Sequence, residues 1–135
     1  MRYLLDTDIC IYLIKNRPPE VPEQFKRHPP TEVAISTITV FELEYGAEKS
    51  KQRQKAKKAL ARFTSPLTVL DMDRAAAHEA ARIRAELEHA GTPIGPYDIL
   101  IAGLAKSRGL TLVTNNLREF SRVSGLVLEN WAMSL

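Results

Sequence analysis

The sequence predicts an α/β fold built on a mostly parallel central sheet of about four or five strands, with helices on both faces. Short unbroken apolar runs carry the first part of that prediction. Tyr3-Leu4-Leu5, Val33-Ala34-Ile35 and Leu110 to Val113 have the composition of strands buried on both sides. Between them lie helical stretches, so strand and helix alternate along the chain, as they do when crossover helices join parallel strands. The third observation is a polar residue in an apolar place. The first strand delivers Asp6 at its carboxyl end, which is the edge where open α/β sheets hold their ligands.

Taken in order, the first strand covers residues 3–5. Asp8 is placed to cap a helix running to about Lys15, with Asp6 as the alternative cap and Ile9, Tyr12 and Leu13 on one face. Pro18-Pro19 breaks that helix, and a short one over 20–28 stops at Pro29-Pro30. Residues 33–36 form the second strand. After Ser36-Thr37 a helix carries Phe41, Glu42 and Tyr45 toward Gly46, and Thr39-Val40-Phe41-Glu42 spells a capping box. The helix over 51–64 is rich in cations, with Lys51, Lys55, Lys58 and Arg62 along one stripe. That stripe reads either as a solvated face or as an attraction for RNA phosphates or an acidic protein. Residues 67–70 are the third strand. Asp73 caps a long helix whose seam is Ala76, Ala80, Ile83, Leu87 and Ala90, and Gly91 stops it. Gly95-Pro96 leads into a helix over 97–108 that is apolar almost all round from Ile99 to Ala105, so it should be buried. The fourth strand covers 110–113 and a fifth lies at 126–128.

A chain of 135 residues, 44% apolar and 26% charged, is expected to form a single domain over 1–135. Its net charge of +3 suits a nucleic-acid partner without requiring one. The lone Cys10 allows no internal disulfide and reads as a small core residue. No run reaches membrane-spanning length and no signal peptide opens the chain, so no membrane partner and a cytoplasmic location are expected. His28, His78 and His89 share no ligand spacing and read as surface. Zinc patterns, phosphate-cradling glycine loops and a nucleophile elbow are all missing from the sequence.

Polar residues mark three further strand-to-loop junctions. Glu42 lies in the first turns after the second strand. Asp98 opens the apolar helix, where enclosure demands a partner. Thr114-Asn115-Asn116 follows the fourth strand, with Glu119 one turn on. In a parallel sheet these junctions share one edge with Asp6. Carboxylates crowded there repel one another unless a cation lies between them, and hard oxygen ligands suit Mg²⁺ or Mn²⁺. Such a centre can activate water against a phosphodiester. Each acid also has a structural explanation: Asp6 or Asp8 as an N-cap, Glu42 in its capping box, Asp98 against a helix dipole, and Asn116 and Glu119 as a turn and a solvated face.

With these residues assembled, the sequence resembles a PIN-domain ribonuclease, specifically the VapC toxins of VapBC toxin–antitoxin pairs. The resemblance rests on four stretches: Leu4 to Ile11, Ile35 to Ala47, Gly95 to Ala102, and Leu112 to Phe120. It implies a PIN-like domain and a Mg²⁺-dependent endoribonuclease, with Mn²⁺ as a substitute. It implies catalytic roles for Asp6, Glu42, Asp98 and Asn116, with Asp6 and Asp98 nearest the metal. Two positions depart from the family pattern: Asp8 stands where Asn is common, and Asn116 where many members carry a fourth acid. One well-held ion is therefore expected, with Asp8 capping the helix behind Asp6 and Glu119 available to act through a water. The resemblance further implies products with 5′-phosphate and 3′-hydroxyl ends and an RNA substrate, foremost a tRNA anticodon loop. It also implies a homodimer and a cognate VapB-type antitoxin that blocks the acidic cleft. Two rival readings stay open. Asp6-Thr7-Asp8 is also the strand-end pattern of haloacid dehalogenase-type phosphatases, with Asp6 as nucleophile. A catalytically silent RNA-binding PIN module is the other.

Overall fold

The computed structural model describes residues 1–133. Five strands, β1 (Tyr3–Leu5), β2 (Val33–Ser36), β3 (Thr68–Leu70), β4 (Thr111–Val113) and β5 (Leu128–Glu129), form one parallel sheet in the order β3-β2-β1-β4-β5. β1 lies at its centre, where Leu5 is opposite both Ile35 and Val113.

Because successive strand residues face opposite sides, β1 feeds two cores at once. Tyr3 and Leu5 join Val33, Ile35 and Val113 beneath α1 (Thr7–Lys15), α2 (Glu20–Lys26), α3 (Thr37–Glu48) and α4 (Arg53–Thr64). Leu4 joins Ala34 and Leu112 beneath α5 (Arg74–His89), α6 (Pro96–Ser107) and the short α7 (Leu117–Phe120). The seam expected on α5 packs as drawn except for Ala90, which ends the helix in solvent. α5 and α6 meet closely at Gly103, where an added Cβ would stand 2.6 Å from that of Ala80. α6 is buried from Ile101 to Ala105, as its composition predicts.

Several boundaries differ from expectation for identifiable reasons. α3 runs through Gly46 to Glu48, because one glycine costs a helix only about 1 kcal/mol. α4 starts at Arg53, so Lys51 lies outside it, while Lys55, Lys58 and Arg62 keep their common stripe along a shallow groove. β5 is displaced to Leu128–Glu129, and α7 and a 3-10 turn over Pro30–Glu32 are too short to show periodicity. The capping box does not form. Ser36 is the N-cap of α3, its Oγ accepting the Thr39 N–H at 3.0 Å, which leaves Glu42 too deep in the helix to reach back. Nor does Asp8 cap α1: Asp6 does, and Asp8 sits in the first turn.

Candidate active site at the carboxyl edge of the sheet

β1 and β4 are neighbours, but the chain leaves β1 in one direction across the sheet and β4 in the other. This is the switch point where open α/β sheets form a crevice. Asp6 sits at that point. Its N–H extends the ladder by donating to the Val113 carbonyl at 2.9 Å, after which the chain turns into α1. The Asp6 carboxylate is 2% exposed and held on both oxygens: Oδ1 accepts the Thr7 N–H at 2.7 Å and Oδ2 accepts the Thr114 hydroxyl at 2.7 Å.

Thr7 also anchors a second acid. Its hydroxyl donates to Glu42 Oε1 at 2.7 Å. A hydroxyl has one proton, so in its 3.1 Å contact with Thr39 Oγ1 the Thr7 oxygen accepts. The Ser36 hydroxyl in turn donates to Thr39 at 3.3 Å. A directed chain of buried hydroxyls, Ser36 to Thr39 to Thr7, therefore ends on the Glu42 carboxylate.

Asp98 is half-buried in the first turn of α6, behind Gly95 and Pro96. Asn116 heads α7, half-buried; its N–H donates to Thr114 Oγ1 at 2.9 Å, while its side-chain amide makes no hydrogen bond among the described residues. Beside it, Asn115 Nδ2 donates to the Tyr12 hydroxyl at 3.1 Å and its Oδ1 accepts from Asn130 at 3.1 Å, which ties the loop after β4 to α1 and to the chain beyond β5.

The electrostatics show that these acids share one space. Burial, and after it the charge of Asp8, push the Asp6 carboxyl up to about 7; the bonds from Thr114 and Thr7 pull it back, and Asp98 adds repulsion. Asp98 is pushed up to about 6 by burial, then by Glu119, Asp8 and Glu42. Asp8 is raised by burial. Among the described residues none of Asp6, Asp8, Glu42, Asp98 and Glu119 pairs with Lys or Arg. The sequence-predicted acids thus do converge, and Asp8 joins them as a fifth carboxylate. What the sequence did not announce is the anchoring role of the hydroxyls of Thr7, Thr39 and Thr114. Thr114 carried a signal, since a fully buried polar residue directly after an apolar strand must find a partner.

This donor set fits a hard divalent cation, being carboxylate oxygen throughout, crowded, and without a neutralising base. Among the described residues no three acids already stand in ion-binding geometry. Of the cysteine and the histidines, only His28 departs from expectation. Cys10 is buried in the core, and His28 is half-buried and stacked on Trp131 at 5.2 Å rather than solvated, while His78 and His89 are exposed. Beside the acids, an apolar groove of about 400 Å³ between α1, α3 and α4 is lined by Ile11, Ile14, Leu43, Ala47 and Leu60, and reaches Glu42. No helix among the described residues is long and apolar enough to cross a membrane.

The family model described as PIN domain matches residues 3–126. A tRNA(fMet)-specific endonuclease VapC from Shigella flexneri is 48% identical over 132 residues, covering 98% of this chain and 99% of the relative. A chain of the DNA-bound VapBC structure from Salmonella typhimurium superposes with a TM-score of 0.92 at 49% identity, covering 97% of this chain and 98% of that one. VapBC2 from Rickettsia felis, bound to a promoter DNA fragment, gives 0.90 at 38% identity, with 97% and 99% covered.

Proposed function

The chain belongs to the VapC family of PIN-domain ribonucleases, and on that footing we propose that it is a metal-dependent endoribonuclease acting on tRNA. The observation that carries this reading is the crowding of five unneutralised carboxylates at the β1/β4 switch point, with Asp6 and Asp98 pushed up to about 7 and about 6. Asp6 and Asp98 would hold Mg²⁺, or Mn²⁺ in its place. The ion when bound would supply an acidified water and positive charge against the phosphate. The chain's own residues do the remainder. Thr114 and Thr7 fix the Asp6 carboxylate, and Thr7 aims Glu42 so that it can take the proton of the attacking water. Asn116, neutral where a fourth acid would repel the substrate, offers its free amide to a phosphate oxygen. Asp8 and Glu119 complete the negative field.

The Shigella relative's name supplies the first substrate to try, tRNA(fMet), and the anticodon loop is where its bases are unstacked and reachable. The partner by the same reasoning is a VapB-type antitoxin, and the apolar groove running to Glu42 is a fitting seat for its inhibitory segment. A homodimer completes the proposal. The test is direct: purified protein is incubated with tRNA(fMet) and an elongator tRNA, with Mg²⁺ or with chelator. One cut leaving a 5′-phosphate, only with metal, is expected. Asp6→Asn and Asp98→Asn proteins that cut as fast as wild type would refute it, and tight RNA binding without cleavage at any Mg²⁺ or Mn²⁺ concentration would favour the silent module.

A further inference from the structure

Three large aromatic side chains are left in solvent next to the acids. Phe41 is 52% exposed, Tyr45 58% and Tyr97 45%. Their positions are not scattered. Phe41 lies on α3 with Glu42, and Tyr97 lies on α6 with Asp98, so the two rings stand on the helices that carry two of the site's carboxylates. The two rings meet edge to face, with centroids 5.6 Å apart and planes at 67°. Tyr45 lies one turn beyond Phe41 on the same face of α3, and Lys49 at the end of that helix places its Nζ 4.9 Å from the Tyr45 ring centre. The result is a rail that leaves the acidic cleft in the order Tyr97, Phe41, Tyr45, Lys49: three rings followed by a cation.

Core packing explains none of these rings, and their size argues about what covers them. Three half-exposed rings offer roughly 300 Å² of apolar face, well short of the about 800 Å² that each partner contributes to a stable protein interface. A second copy laid flat on the rail would also close the cleft that the substrate must enter. Nucleobases match in area and chemistry, since every base has a π-face and single-stranded segments are held by aromatic stacking with cations on the phosphates. We propose that Tyr97, Phe41 and Tyr45 are a stacking platform for unpaired bases adjoining the scissile phosphate, with Lys49 meeting the backbone phosphate beyond them. This rests on the nuclease reading above and adds the residues that recognise an unstacked strand.

The experiment is a cycle between protein and RNA. Wild type, Phe41→Ala, Tyr97→Ala and Phe41→Trp are assayed on a stem-loop cut by wild type, and on the same RNA with an abasic unit at each nucleotide flanking the cut. Each alanine variant is expected to raise KM roughly ten- to a hundredfold on intact RNA. It should lose little more on the abasic RNA that already lacks the stacked base, and Phe41→Trp should keep wild-type KM. Equal losses on intact and abasic RNA would overturn the platform. So would a change of oligomeric state on light scattering as the sole effect of the alanine substitutions, which would make the rail an interface between copies. If wild type cuts no RNA, the nuclease reading fails separately. Quenching of 2-aminopurine in a single-stranded oligoribonucleotide, abolished by Tyr97→Ala, would still support stacking, and an unquenched probe would contradict it.

Discussion

β1 is three residues long, yet it supplies two regions of opposite character. Tyr3 enters an aromatic column, with the His28 ring at 4.6 Å and Trp131 at 5.4 Å, His28 stacked on Trp131, and Arg2 over Tyr3 at 5.0 Å. Trp131 is 1% exposed and its Nε1 donates to Glu129 at 3.0 Å, so the buried end of the column has its polar atom paired. Three positions later Asp6 enters a cluster whose members repel one another and meet no base. The column contributes to holding the fold together, whereas the cluster costs it stability, as candidate functional sites do. Local rules of good packing hold in the first region and are broken in the second, and the break marks the site.

Substitutions should separate the two regions cleanly. The largest effect is expected from Trp131→Ala, which leaves a cavity worth about 3–5 kcal/mol. Urea titration should show that loss, while cleavage per folded molecule stays at the wild-type level. Asp98→Asn should do the reverse, lowering the cleavage rate by on the order of 10²- to 10³-fold with the melting temperature unchanged or higher.

Asp6→Asn probes the cost itself. The folded-state pKa of Asp6 lies above the unfolded value near 4, so the native protein binds that proton more tightly. The associated stability is fully present below about pH 4 and is lost as pH rises through about 7. The neutral variant escapes this loss. It should be more stable than wild type by roughly 1–3 kcal/mol at pH 8, with the advantage shrinking to nothing near pH 4 in parallel thermal melts. The smallest effect belongs to Thr7→Val, which frees Glu42 without touching a carboxylate. A drop in cleavage of about tenfold is expected, in line with one charge-assisted hydrogen bond, and Thr7→Ser should restore most of it.

Much of this division is legible in the sequence. Continuous apolar runs announced β1, β2 and β4, and Asp6 and Glu42 after strands announced the edge on which the acids meet; Asp98 follows α5 rather than a strand, and the start of α6 brings it there. The unread parts have physical causes. Asp6 and Asp8 are equally good caps by residue type, and only the bond to Thr7 N–H decides between them. Thr39 and Glu42 have capping-box spacing, but Ser36 three residues earlier captures the helix start. The hydroxyl chain into Glu42 joins positions 32 and 35 residues apart, a separation that no local pattern encodes. His28 looked solvated because its partners, Tyr3 and Trp131, lie near opposite ends of the chain.

The central claim is that the repelling carboxylates await a divalent cation, and titrating Mg²⁺ into the protein calorimetrically tests it most directly. Asp6 and Asp98 are largely ionised at pH 8 and largely protonated at pH 5. The account predicts saturable binding by wild type at pH 8, lost at pH 5 and lost at pH 8 in both Asp6→Asn and Asp98→Asn. Binding of equal strength in all four titrations, or none in wild type at pH 8, would contradict it.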